Sequence, residues 1–316
     1  MYRTNAAVLI VSGMSTELNF LPFLGVDGYV IQGWSHILVG YPRCGKTELA
    51  TQLALEWVKQ GKHVLYISEE SEALWCVRFG ELEKSGLLQG LTKGGQPDLE
   101  RFELIFGLGE QPDGLLKEAY SKPVDVVIVD TIRSLLDIED ENDNSEIRRR
   151  IKPWTLAQQQ ARNTLILCHH SRKGGGSHGE AISGGHALLG ACDMALEITF
   201  EQSQQARRTI IPYGRVISSP SLLYELNGGK LSQLGDPDKL RLKFVEQRIC
   251  MELDGVWCTT RQIKDRFTKP KPSDSSFDRA FTNLAVAGTL ERQPPWGQDA
   301  SRKTVRWRLS ESFESV

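Results

Sequence analysis

Gly40-Tyr-Pro-Arg-Cys-Gly-Lys-Thr47 decides the reading of this chain, because it spells a phosphate-binding loop without interruption. Ile37-Leu-Val39, just before it, reads as a buried strand. Behind it Leu49, Leu53 and Trp57 recur at i, i+4 and i+8 on one helical face, which Gly61 can end. Backbone N–H groups of such a loop point inward as an anion nest, and the helix that follows adds its positive end. Lys46 is expected to reach the β- and γ-phosphates of ATP, and the Thr47 hydroxyl to ligate Mg²⁺. Gly40, Pro42, Arg43, Cys44, Gly45, Lys46, Thr47 and Glu48 are the candidate nucleotide-binding residues.

Working outward, short apolar runs alternate with helical stretches over the first 236 residues, the pattern of a parallel sheet wound by helices. His63–Ser68, Phe102–Phe106, Val124–Val129 and Thr164–Cys168 read as strands, followed by Met194–Phe200, Arg208–Tyr213 and Ser221–Leu226. Asp130 closes Val126-Val-Ile-Val-Asp130 and can hold the Mg²⁺ shell opposite Thr47. Glu69 and Glu70 end another strand, where a carboxylate can orient the attacking water; with Glu72 they also suit the start of a helix. His169 and His170 end the Thr164–Cys168 run, a position that can sense the γ-phosphate. The spacing of His169, His170, His178 and His186 matches no common metal site. Arg172 and Lys173 open a Gly-rich loop reaching His186, and Arg215 follows Gly214 past a late strand. Arg207, Arg208 and Arg215 compete as the arginine that reaches a neighbouring subunit's γ-phosphate. Asp137–Asn144 reads as a polar loop, and the helix carrying Ile147, Ile151 and Trp154 should kink at Pro153.

The 316 residues suggest two domains, and no apolar run is long enough to cross a membrane. Ala6–Val11 is too short and wrongly flanked for a secretory signal. None of the six cysteines forms a C-x-x-C pair, so neither a zinc ribbon nor a disulfide framework is indicated, and a cytoplasmic protein is expected. The net charge of −2 hides an asymmetry, because Pro237–Leu309 carries 15 Lys/Arg against 9 Asp/Glu. A basic C-terminal region on an acidic body points to nucleic acid. Gly235-Asp-Pro237 reads as a linker, dividing residues 1–235 from 236–316. Beyond it come helices over Leu240–Leu253, Thr260–Phe267 and Ser275–Ala287, then a hairpin of Thr289–Arg292 and Thr304–Leu309 around Pro294–Gly297.

Four landmarks in order resemble the RecA-fold ring ATPases, above all the plasmid replicative helicases of the RepA group, with KaiC and the DnaB helicases more distant. They are Gly40–Thr47, Tyr66-Ile-Ser-Glu-Glu70, Val126–Asp130 and Leu165-Ile-Leu-Cys-His-His-Ser-Arg-Lys173, and the likeness spans Leu21–Leu226. It implies an α/β fold, a RecA-like P-loop NTPase with a parallel β-sheet core, assembled as a homo-oligomer, a hexamer. By the same likeness Glu70 is the catalytic carboxylate, with Glu69 as in the paired glutamates of KaiC. His170 is the γ-phosphate sensor, and Arg215 matches a helicase arginine finger. Arg172 and Lys173 then face a DNA channel. The chain departs from the RepA pattern at Arg43-Cys44 and at Ser183-Gly-Gly-His186. The C-terminal part resembles a winged-helix domain, with Ser275, Ser276 and Arg279 toward a DNA groove and Arg302, Lys303 and Arg306 at the wing. Together these imply an ATP-driven helicase or translocase on DNA; the other reading is an ATP-gated DNA-binding adaptor with slow turnover.

Overall fold

Apolar runs flanked by helical stretches become strands of one sheet, because a strand buried on both faces needs helices above and below it. A computed structural model describes residues 17–93, 96–97, 99–141, 143–171, 185–200, 206–217, 219–253, 255–268, 271–297 and 305–310. Ala6–Val11, Gly94 and most of the Arg172–His186 loop lie outside them. Two units divide between Leu234 and Gly235.

The first unit contains β1 (Phe20–Phe23), β2 (Val26–Ile31), β3 (Ser35–Gly40), β4 (Val64–Ser68), β5 (Thr92–Lys93), β6 (Gln96–Pro97) and β7 (Phe102–Phe106). It continues with β8 (Val126–Asp130), β9 (Thr164–His170), β10 (Met194–Thr199), β11 (Arg207–Gly214), β12 (Leu222–Asn227) and β13 (Lys230–Gly235). Nine of these form one sheet in the order β13-β12-β11-β10-β3-β9-β8-β4-β7. The six strands from β10 to β7 run parallel, and β11 and β12 extend the sheet antiparallel. Their side chains alternate between two cores. Leu38, Tyr66, Ile128 and Ile166 meet Leu49, Leu53 and Trp57 of the helix Lys46–Lys59 on one face. Ile37, Val39, Val127 and Leu167 meet Ile147, Ile151 and Trp154 on the other.

The helix Asn144–Ala161 contains the exposed Pro153. Two local features differ from the sequence reading. The polar stretch from Asp137 is anchored by buried Ile138, while Glu146 accepts hydrogen bonds from the Glu139 and Asp140 backbone N–H groups. The hairpin β1–β2 was not legible because its turn is Leu24-Gly25, both at positive φ, where a leucine is unusual. Glu56 holds that turn by accepting from Leu24 N at 3.0 Å and Gly25 N at 2.9 Å. Among the described residues no helix is long and apolar enough to cross a membrane.

In the second unit the helix Pro237–Met251 starts at Asp236, whose carboxylate accepts from Asp238 N and Lys239 N. The helix Thr260–Asp265 carries a capping box of Thr259 and Gln262, and Asp274–Val286 is capped by Ser273. The expected two-stranded ribbon gains a third member: β14 (Cys258–Thr259) pairs with β16 (Arg306–Leu309), which pairs with β15 (Leu290–Gln293). Val245, Ile249, Ile263, Phe277 and Trp307 form its core, with the Phe281 and Trp307 rings stacked at 4.8 Å.

His36, buried beside β2, accepts a hydrogen bond from Ile31 N through Nε2, and burial lowers its pKa to about 4. It is neutral in the fold, so acid favours the unfolded chain between the ordinary histidine pKa near 6.5 and about 4. Urea denaturation is therefore expected to show stability falling by roughly 1.4 kcal/mol per pH unit across that window from this group, a slope that His36→Gln flattens.

Candidate nucleotide site at the carboxyl edge of the sheet

Parallel strands end together, so the residues that close β3, β9, β8 and β4 gather at one edge. Because β9 lies between β3 and β8, its terminal His170 falls between the phosphate loop and Asp130. The loop turns through Arg43 at φ 65° and Gly45 at φ 96°, and Gly45 caps the helix that starts at Lys46. A Cβ on Gly40 would stand 2.6 Å from Cys44 Sγ and 3.1 Å from Ile198 Cβ, so a side chain there would have to displace the cysteine sulfur. Cys44 is buried, which raises its thiol pKa and keeps it protonated.

Lys46 is only 5% exposed. Its ammonium donates to Gly40 O at 2.8 Å, Tyr41 O at 3.3 Å and His170 Nδ1 at 2.9 Å. A lysine ammonium cannot accept, so Nδ1 is the acceptor and His170 is neutral. Burial, then the Lys46 charge, holds the His170 pKa below the usual value.

Asp130 is 3% exposed, and its Oδ2 accepts from Thr47 Oγ1 and from the Tyr66 hydroxyl, each at 2.7 Å. Its Oδ1 is buried with no hydrogen-bond partner among the described residues. A hydroxyl and a carboxylate with a spare oxygen are hard donors that fit Mg²⁺, which takes few protein ligands and completes its shell with water and phosphate.

The two glutamates after β4 part company. Glu69 N donates to Asp130 O at 2.9 Å, and the Glu69 carboxylate accepts from Thr131 Oγ1 at 2.8 Å, on the Asp130 side. Glu70 instead pairs with Arg78 at 2.6 Å. The arginines separate as well. Arg208 Nε donates to Cys44 O at 2.8 Å, so this side chain braces its own chain's phosphate loop. Gly214 pairs with Met194 and Met194 with His36, four residues before the loop leaves β3 at Gly40. Arg215 therefore sits at the opposite edge, on the order of 13 Å away by strand rise, bonded to Gly190 O. Arg172 and Lys173 lie outside the described residues. Sequence reasoning gave no role to Tyr66, although it opens a landmark, because its hydroxyl contact with Asp130 is not local, and it missed Arg78, a helical arginine with no motif around it.

Residues 24–176 match the family described as AAA domain. The DNA repair protein RadA of Campylobacter jejuni is 28% identical over 199 residues, which cover 61% of this chain and 40% of that protein. The chain thus spans about two-fifths of the length of that relative. The RadB recombinase superposes with a TM-score of 0.50 at 17% identity, covering 67% of this chain and 94% of that one. The ATPase domain of G40P gives 0.54 at 11% identity, covering 72% and 96%.

Tyr66→Phe removes one donor from a buried carboxylate and is expected to cost about 1.5 kcal/mol in urea denaturation. With its phosphate loop, its strand order and these likenesses, the first unit has the fold of the RecA-like P-loop ATPases.

Proposed function

We propose that this chain hydrolyses ATP in the service of DNA, as a RecA-fold ring ATPase of replicative helicase or translocase type. The observation that carries the ATPase reading is the convergence of Lys46, His170, Thr47, Asp130 and Glu69 at one sheet edge. Phosphoryl transfer asks the protein mainly for positioning and for charge opposite the equatorial oxygens. Lys46, freed from Gly40 O and Tyr41 O, meets the β- and γ-phosphates. Thr47 and Asp130 would hold Mg²⁺, which when bound would offset the negative charge of the phosphates. Glu69 rather than Glu70 orients the attacking water, because it faces the Asp130 side while Glu70 is committed to Arg78. His170 touches Lys46 directly and so can register whether the γ-phosphate is present. Arg215, far from its own loop, serves a neighbour's site, which makes the oligomer part of the mechanism; the resemblance to RepA-type proteins supports a hexamer.

DNA as partner rests on the basic second unit, on the motif resemblance and on relatives named for DNA repair and recombination. We read that unit as a winged helix. Ser275, Arg279 and Arg306 are exposed and Ser276 half-buried, on the elements assigned to the groove and the wing; Arg302 and Lys303 lie outside the described residues. The adaptor reading, slow turnover with ATP-gated DNA binding, is favoured by Ser183-Gly-Gly-His186 where RepA-type proteins carry an arginine.

Steady-state ATP turnover with and without single-stranded DNA tests both readings. Lys46→Ala is expected to abolish hydrolysis, and Glu69→Gln to lower kcat about 100-fold or more. Stimulation by DNA supports the motor, whereas turnover indifferent to DNA, with ATP still promoting duplex binding, supports the adaptor. Wild-type turnover in Lys46→Ala refutes the site.

A further inference from the structure

Arg78 lies on the helix Glu72–Lys84, outside every motif discussed above, yet its guanidinium joins the two halves of the site. Nη2 meets Glu70 Oε2 at 2.6 Å and Nη1 meets Glu48 Oε2 at 3.5 Å. Glu48 directly follows Thr47 in the first turn of the phosphate-loop helix, and Glu70 directly follows Glu69. One cation thus ties the backbone of the Mg²⁺-facing hydroxyl to the backbone of the water-facing carboxylate. All three side chains are partly buried, each less than one-third exposed and Arg78 at 17%.

The contacts around Arg78 extend the same link. Its guanidinium lies 5.3 Å from the Trp75 ring centroid. Trp75 Nε1 donates to Ser68 Oγ at 2.8 Å, and the same oxygen accepts from Glu70 N at 3.0 Å. The other oxygen of Glu48 accepts from Gln52, whose side chain also bonds Gly229 O and Leu231 N. The turn Ser68–Glu70 is therefore held from the helix side by Trp75 and Arg78, and from the sheet side by Asp130 and Thr131.

We infer that Arg78 is a positioning residue of the hydrolytic site, with Glu70 as its tether rather than as the base: the Glu70–Arg78–Glu48 bridge sets the distance from Glu69 to the Thr47–Asp130 face. This rests on Glu69 being the water-orienting carboxylate. A bridge of this kind adds little to folding, because ion pairs on partly exposed side chains are worth little, but a misplaced catalytic group is costly.

The test compares kcat, KM for ATP and thermal midpoint in the full-length protein for Arg78→Ala, Arg78→Lys, Glu70→Gln and the double variant Arg78→Ala/Glu70→Gln. Arg78→Ala and Glu70→Gln are each expected to lower kcat about tenfold with KM little changed. The double variant should lose no more than either single one, because both break one bridge, and Arg78→Lys should recover part of the rate. An unchanged kcat in Arg78→Ala, a rise in KM alone, or losses that multiply in the double variant would overturn the inference. Glu69→Gln separates the premise from the inference. If it turns over at the wild-type rate the base assignment has failed; if it is inactive while Arg78→Ala is normal, only the bridge has.

Discussion

A buried ammonium that must be kept among acceptors organises this site. Lys46 is inside the sheet edge, and three acceptors from two elements surround it. Charge buried without partners is expensive, so the loop, the end of β3 and the end of β9 are held to positions where those acceptors converge. A phosphate group would substitute stronger acceptors for weaker ones. The contact with His170 ties the end of β9 to the lysine of the loop. Burial and the lysine charge keep that imidazole neutral and able to accept.

Much of this was legible beforehand because the signals were local. The phosphate loop is contiguous, the strands are apolar runs bounded by polar turns, and Asp130 stands at a strand end, so periodicity and spacing sufficed. What stayed illegible depended on side chains arriving from elsewhere. Nothing in Ser68-Glu-Glu-Ser71 says which carboxylate turns toward Thr131 and which toward Arg78; partners from distant segments decide that. The β1–β2 turn was hidden because its leucine is stabilised at positive φ by Glu56, distant in sequence. How far Arg208 and Arg215 lie from the phosphate loop is set by strand register, which composition does not encode. In the second unit the three helices were readable as segments, but two-residue β14 is below the length at which alternation carries a signal.

The antiparallel extension of the sheet has a clear physical role. β11 returns alongside β10, so one of its ends lies by the phosphate loop and the other at the far edge. Arg208 and Arg215 sit near those two ends. A single strand thus offers one arginine inward to its own loop and another outward, and β12 and β13 cover what would have been an open edge beside it.

The contact between Gly40 and Cys44 also limits how this sequence can drift. The sulfur occupies the space that a side chain at residue 40 would need, so the two positions share one small volume. Position 44 can shrink to alanine or serine without disturbing its neighbour, whereas position 40 can gain nothing until 44 has first given up its bulk, and Ile198 narrows even that route. Substitutions across this pair are therefore ordered in time, and a lineage that keeps the cysteine is committed to the glycine.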